Sequence, residues 1–229
     1  IGSLSYDVNF LGDTVIAVGR NGARFSTGGG DPDTRFSVVD SVSSSVRLDN
    51  DTITSVEVLG DTVIFGSKYG LAFSTDRGQK FKVYRARLDS LAADLVVSRT
   101  VLNSVQPFRY GLTGDFVSAI AVRNVGSGPA EVWFSGRPVD IGTPGMSKTW
   151  SDSGKFSMVS MNETDFAWNY EFVGDNVYAA TNAGLLKHVG VGDSDTSMTW
   201  DTVAFVNDAT SETLIAPGTP VYGVPRAGS

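Results

Sequence analysis

Residues 60–81 read GDTVIFGSKYGLAFSTDRGQKF, and this stretch carries the strongest structural signal in the chain. Gly60 and Asp61 have turn chemistry, because glycine accepts a positive φ and an aspartate side chain bonds nearby backbone groups. The apolar run at 63–65 is typical of a short strand. A second turn at 69–70 precedes another apolar run at 71–74. The stretch therefore predicts two antiparallel strands followed by a compact loop.

That loop fits the pattern S-x-D-x-G-x-x-[WF] through Ser74, Asp76, Gly78 and Phe81. The Asp76 carboxylate can accept hydrogen bonds from its own loop, Gly78 can take a positive φ, and Phe81 can plug the loop onto the sheet. This is the Asp-box pattern, and the stretch resembles one blade of an Asp-box (BNR-like) β-propeller. The box stabilises its own turn wherever it occurs, so a structural role is favoured for these four residues. A carbohydrate-handling role is the alternative.

The opening string of this stretch recurs along the chain. GDTVIFGS at 60–67 matches GDTVIAVG at 12–19 and GDNVYAAT at 174–181, with looser copies at 128–136 and 218–224. The first glycines of these copies lie 48, 68, 46 and 44 residues apart. A period of about 40–50 residues that is rich in short strands is typical of propeller blades.

The repeats predict an all-β fold, a β-propeller of four-stranded antiparallel blades in a single domain or propeller fragment. About four and a half blades are visible. We place the blades at residues 5–40, 53–87, 116–160 and 165–206, with a partial blade at 211–225. We place their second strands at 14–18, 62–65, 131–135, 177–180 and 221–224.

An insertion at 88–112 accounts for the long step between the second and third repeats. Its residues 88–95 have apolar side chains at helical spacing, whereas 96–106 could form another strand pair. Insertions between blades often carry binding, and they also cover blade edges. Both interpretations stay open.

The other blades keep the Asp box only in part. The box is swollen and broken at 27–33, and at 149–156 it keeps Asp152 and Gly154 in register. In the fourth repeat Asp193 and Asp195 replace the box, and Trp200 serves as the plug. Residues 137–147 are expected to form a long loop, and 202–206 an outer strand.

The partial blade bears on whether these residues form a whole propeller. An open blade exposes apolar surface and unpaired strand edges. We expect the chain to be part of a longer propeller and to associate with further blades or another chain; a small ring that closes imperfectly is the alternative. Ile1 is not a start residue, which points to processing or an incomplete chain.

Composition excludes several classes of partner. The 229 residues carry a formal net charge of −7, which disfavours nucleic acid and anionic membrane surfaces. No apolar run approaches the roughly 18 residues of a membrane helix, so no membrane insertion is expected. The chain has no cysteine, which suits an exported bacterial protein with an extracellular or periplasmic location.

The search for chemistry is mostly negative. His188 is the single histidine, which removes histidine clusters and offers little for a Ser-His-Asp triad. The glycine run at 28–30 lacks the Gly-Lys-Ser/Thr of a phosphate-binding loop. Asp31 with Asp33, and Asp193 with Asp195, offer oxygen ligands for Ca²⁺ but lack the twelve-residue calcium pattern. We therefore expect no metal and no cofactor. Two glycosylation sequons, at 50–52 and 162–164, matter only in a secreted eukaryotic chain.

The Asp-box resemblance extends to sialidases, xyloglucanases, sortilin-type receptors and photosynthetic assembly factors, but only in the repeated strand-and-box unit. The chain has no Arg-Ile-Pro motif of the sialidase type, and fold does not imply function. We favour a non-catalytic binding or structural module that recognises protein or glycan, with catalytic residues left unknown. A glycoside hydrolase or carbohydrate-binding propeller is the rival. The aromatic residues to locate in a groove are Tyr69, Trp133, Trp150, Trp168 and Tyr170.

Overall fold

The computed structural model describes fifteen segments of the chain, and the structural statements below refer to them alone. They are residues 5–20, 22–27, 37–38, 52–68, 70–79, 81–84, 114–124, 130–142, 144–150, 156–159, 165–189, 200–206, 210, 213–215 and 218–223. The insertion at 88–112, the glycine run at 28–30 and the four candidate calcium-binding aspartates lie outside these segments.

Four antiparallel sheets follow one another along the chain, each with its four strands paired in sequence order. The first sheet holds β1 (Ser5–Leu11), β2 (Thr14–Gly19), β3 (Gly22–Ser26) and β4 (Ser37–Val38). The second holds β5 (Ile53–Leu59), β6 (Thr62–Ser67), β7 (Gly70–Ser74) and β8 (Lys82–Tyr84). The third holds β9 (Gly114–Arg123), β10 (Glu131–Gly142), β11 (Gly145–Trp150) and β12 (Phe156–Val159). The fourth holds β13 (Ala167–Val173), β14 (Asn176–Thr181), β15 (Gly184–Val189) and β16 (Asp201–Val203), and a separate two-stranded sheet pairs β17 (Phe205–Val206) with β18 (Thr213–Ile215).

The sheets pack side by side through their first strands, with β1 against β5, β5 against β9 and β9 against β13. This is the arrangement of propeller blades around an axis. The predicted all-β class and partial propeller architecture are confirmed. Within the described segments every regular element is a strand.

The recurring glycine strings form the turns between the first and second strands. Gly12, Gly60 and Gly174 have φ values of +59°, +57° and +58°. A side chain is disfavoured at such angles, which explains why glycine recurs at this position. The turn is therefore the same in three blades, and the apolar second strand follows it directly.

The core consists of three clusters, one at each contact between neighbouring blades. Phe25, Phe65 and Phe81 belong to the cluster between the first and second blades. A second cluster joins the second and third blades, and a third cluster around Trp133 joins the third and fourth. Each blade is therefore stabilised mainly by its neighbours, as in other repeat architectures.

The predicted long loop at 137–147 is wrong. β10 continues to Gly142, which pairs with Gly114 of β9, and β11 already begins at Gly145. Pro138 suggested a loop, but it lies where the register between β9 and β10 shifts. A proline is tolerated there because its missing N–H removes no regular ladder bond.

The fifth repeat also differs from the expectation. The predicted outer strand at 202–206 is divided between β16, which pairs with β15, and β17, which pairs with β18. Residues 218–223 form no strand; instead the Val221 N–H donates to the Thr181 carbonyl at 2.9 Å. That bond attaches the segment to the end of β14. The blade boundaries themselves remain predictions.

Candidate functional site

The first strands of the four blades line a common cleft of about 590 Å³. β1, β5, β9 and β13 each contribute a run of side chains to its wall. A concave space along the axis of a repeat architecture is the default place to look for a binding site.

Each of the four lining strands carries a β-bulge near its start. The pairing with the second strand skips Tyr6, Thr54, Ser118 and Trp168. A bulge re-aims the side chain of the extra residue. All four bulge residues line the cleft, and they lie at the end opposite the Gly60 turn.

Two of the bulge residues tie neighbouring blades together. The Thr54 hydroxyl donates to the Val117 carbonyl, and the Ser118 hydroxyl donates to the Ala167 carbonyl at 2.6 Å. In both cases the acceptor is the residue that precedes the bulge of the next blade. The bulge hydroxyls therefore act as repeated clamps between first strands.

Between the first two blades, Asp7 and Asn9 hold the first strands together. Asp7 Oδ2 accepts from the Val56 N–H at 2.9 Å. Asn9 Nδ2 donates to the Val56 carbonyl at 3.2 Å and to Glu57 Oε2 at 3.1 Å. Two of the cleft carboxylates, Asp7 and Glu57, are thus engaged in holding strands together.

The cleft is acidic. Asp7, Glu57 and Glu171 line it, and its lining among the described residues includes no lysine or arginine. Glu171 is partly exposed on β13. The wall therefore combines negative charge with the aromatic residues described next.

β13 supplies the aromatic part of the wall with Trp168, Tyr170 and Phe172. Tyr170 is only 3% exposed. Burial raises the pKa of Tyr170 well above its ordinary value of 10.0, so the phenol stays protonated at neutral pH. Trp168 packs edge to face on Phe166 at 4.8 Å, and Tyr222 lies 5.7 Å from it.

The aromatic residues selected from the sequence lie in different parts of the structure. Trp168 and Tyr170 line the cleft, but Trp133 is fully buried in the core between the third and fourth blades. Trp133 is therefore a core residue and not part of a groove. Tyr69 and the Trp150 side chain lie outside the described part. Sequence reasoning missed Tyr6, Asp7, Glu57 and Glu171, for which the weak alternation of the first strands was the sole signal.

The Asp box lies at the opposite end of its blade. The Ser74 hydroxyl donates to Asp76 Oδ1 at 2.7 Å, and its oxygen accepts from the Gly78 N–H at 2.8 Å. The Gln79 N–H donates to Asp76 Oδ1 at 3.1 Å. Gly78 has a φ of +86°, and Phe81 stacks on Phe65 with ring centres 4.8 Å apart. Arg77, in the middle of the loop, also pairs with Asp61 of the preceding turn at 2.7 Å.

A buried charge cluster lies between β9, β10 and β11. Glu131 is fully buried, accepts from Arg123 Nη2 at 2.7 Å and from Trp133 Nε1 at 3.0 Å, and has Lys148 Nζ at 3.6 Å. Burial alone raises the pKa of Glu131. The hydrogen bonds from Trp133 and Arg123, with the charges of Lys148 and Arg123, outweigh burial and lower that pKa below its ordinary 4.5.

Two further features concern metals and membranes. In the described segments no group of three or more acidic or histidine side chains could hold a metal ion. His188 is 5% exposed on β15 and packs against Trp200 with ring centres 5.7 Å apart. Among the described residues there is no helix that is long and apolar enough to cross a membrane.

Comparison with known proteins gives structural likenesses only. No protein-family model matches the chain, and no curated protein matches it. The chain resembles the extracellular domain assigned to a hybrid two-component system of B. thetaiotaomicron, with a TM-score of 0.60 and 14% identity over 95% of this chain and 24% of that one. A second such extracellular domain of that organism gives a TM-score of 0.56 and 13% identity over 96% of this chain and 30% of that one.

An ancestral GH74 enzyme is similar at a TM-score of 0.55 and 15% identity, over 91% of this chain and 25% of the enzyme. The chain thus spans roughly a quarter of the length of these structures. Likeness at such low identity shows the fold and not the activity. Together with the four meander sheets, it identifies the chain as a set of β-propeller blades.

Proposed function

We propose that this chain is a non-catalytic β-propeller module of an exported protein, which recognises a protein or glycan ligand at its axial cleft and at the loops around the bulge end. The observation that carries the proposal is the wall of the cleft. It combines partly exposed aromatic rings with carboxylates and amides, the mixture that suits a ligand rich in hydroxyl and amide groups. The extracellular domains among the similar structures support a location outside the cytoplasm.

The hydrogen bonds of the cleft carboxylates and the protonation of Tyr170 favour binding over catalysis. Asp7 and Glu57 both accept hydrogen bonds that hold neighbouring strands together. Glycoside hydrolysis usually requires two carboxyl groups that flank the scissile bond. The buried, protonated Tyr170 is also a poor nucleophile.

A glycoside hydrolase is the second candidate. Its support is the likeness to a GH74 enzyme together with the partly exposed Glu171 carboxylate in an aromatic cleft. In that case Glu171 would be one of the two catalytic groups.

The two candidates differ in product formation. We would test the chain against a panel of soluble polysaccharides by affinity electrophoresis and by release of reducing ends. Retention without new reducing ends, weakened by Tyr6→Ala and by Glu171→Gln, is the expected result. Arg77→Gln at the Asp-box end is the matched control and should bind like the parent. Reducing ends that disappear in Glu171→Gln would reverse the assignment.

A further inference from the structure

We propose that Arg137, beside Trp168, binds an oxyanion of the ligand, that is, a carboxylate, sulfate or phosphate group. This deepens the proposed function and rests on it, because Trp168 belongs to the cleft wall. Arg137 itself lies on β10 just beyond Gly136, where the pairing of β10 with β11 ends.

Aromatic rings surround the Arg137 guanidinium. Its central carbon lies 4.2 Å from the ring centre of Phe116, 5.7 Å from that of Phe166 and 5.8 Å from that of Trp168. These three rings come from the starts of two first strands or from just before them. They hold the guanidinium by cation–π contacts beside Trp168, which lines the bulge end of the cleft.

Arg137 has no counter-ion among the described residues. Its Nε is buried without a hydrogen-bond acceptor, although the chain has 25 acidic residues against 18 basic ones. Arg77 and Arg123, by contrast, each form an ion pair. In both pairs a guanidinium nitrogen lies 2.7 Å from a carboxylate oxygen. A shielded cation without an acceptor is costly, and an anionic ligand would remove that cost. Arg137 is partly exposed as a residue, which the proposed binding requires.

Trp168 is a second donor without an acceptor at the same place. Thr54 and Ser118, at the equivalent bulges, donate to the next first strand. Trp168 occupies the fourth such position, and its Nε1 is buried with no hydrogen-bond acceptor. Two unsatisfied donors, one of them charged, therefore lie next to each other, and Trp168 belongs to the wall of the cleft.

The chemistry of these groups selects the ligand class. A planar guanidinium with several N–H donors matches the oxygen pairs of carboxylate, sulfate and phosphate groups. The remaining cleft is lined by Asp7, Glu57 and Glu171 and repels anions. A ligand with one anionic group would therefore bind in one orientation, with that group at Arg137.

The test uses the indole N–H signal of Trp168 in NMR spectra of the 229-residue chain. The chain has four tryptophans, so Trp168→Phe assigns the signal. Sodium sulfate, sodium glucuronate and uncharged glucose are titrated at constant ionic strength. We expect saturable shifts with sulfate and glucuronate and none with glucose. Arg137→Gln should weaken both by about tenfold or more, the loss expected for a charged hydrogen bond.

Two further variants serve as controls. Arg77→Gln removes an equal charge at the opposite end and should leave the shifts unchanged. Arg137→Lys keeps the charge but loses the planar guanidinium, so we expect it to bind saturably and more weakly than the parent. This variant tests the proposal even if Arg137→Gln unfolds. Equal shifts with glucose, unchanged binding in both Arg137 variants, or no saturable shift at all would each overturn the proposal. Polysaccharide binding that persists without an anion effect would leave the proposed function standing.

Discussion

At the scale of single residues, the Asp box shows how one side chain organises a loop. Asp76 Oδ1 accepts from both the Ser74 hydroxyl and the Gln79 N–H, and Ser74 in turn accepts from the Gly78 N–H. We propose that Ser74, Asp76, Gly78 and Phe81 form a structural Asp box and that Asp76 has no part in catalysis.

Replacing Asp76 should destabilise the fold. Asp76→Ala leaves donors of the loop without an acceptor, and we expect the free energy of unfolding to fall by about 1–3 kcal/mol. Urea denaturation measures the change. Asp13→Ala, at an exposed turn in the first blade, is the control and should lie within about 0.5 kcal/mol of the parent. Equal losses in the two variants would contradict a role specific to the box.

Glu131 should make stability depend on pH. Because its pKa is lower in the folded chain than in the unfolded chain, its contribution is fully present above pH 4.5 and is lost as the pH falls through the folded pKa. Glu131→Gln should remove that part of the acid dependence. It should also cost about 3–5 kcal/mol at pH 7, because Arg123 and Lys148 stay buried without their anion.

Urea denaturation of the parent and the Gln variant from pH 7 to pH 3 measures the difference. Asp61→Asn breaks the exposed ion pair with Arg77 and serves as the control, with an expected loss of about 0–1 kcal/mol. A difference between parent and Glu131→Gln that stays constant with pH would show that the pKa of Glu131 is the same in the folded and the unfolded chain.

At the scale of elements, the bulge clamps connect one first strand to the next. Ser118→Ala removes the donor to the Ala167 carbonyl, and we expect a loss of about 1 kcal/mol in the free energy of unfolding. Thr54→Ala should behave similarly toward Val117. Ser5→Ala, at an exposed position on β1, is the comparison in thermal or urea unfolding. The clamp interpretation would not survive if all three variants were equally stable.

The elements also show what the sequence could and could not predict. The Gly12, Gly60 and Gly174 turns depend on a local backbone angle, so the repeated strings revealed the blades. The extension of β10 past Pro138 depends on pairing with Gly114, which is distant in sequence and carries no local signal. The cleft wall was missed for a related reason. A bulge decides which side chains of a first strand face the axis, and the bulge itself follows from the partner strand.

At the scale of the whole molecule, the outer face of the first blade lacks a neighbour within the described segments. Val8 and Phe10 are 52% and 60% exposed. Val8 occupies the position of Val56 and Tyr170 in the later blades, which the preceding blade buries to 1% and 3% exposure. The equivalent positions imply that a further sheet face can cover β1.

We therefore predict that the chain associates in solution. Val8→Asp places a charge on the open face and should raise the monomer fraction, as measured by size-exclusion chromatography with light scattering over a range of concentrations. The control is Tyr222→Asp, which places the same charge at an exposed apolar residue outside the sheets. Tyr222 is 71% exposed, and its replacement should leave association unchanged. A parent chain that stays monomeric throughout would refute the prediction.

The four bulges have a consequence for how this architecture can diversify. Tyr6, Thr54, Ser118 and Trp168 are unlike in size and polarity, yet the backbone detour that presents each of them is the same. Because an extra residue lies outside the ladder, its identity is largely uncoupled from sheet pairing. Together the four line the bulge end of the cleft. Substitution at these positions would therefore vary the selectivity of that end of the cleft, at a cost of about 1 kcal/mol wherever a clamp such as that of Thr54 or Ser118 is lost.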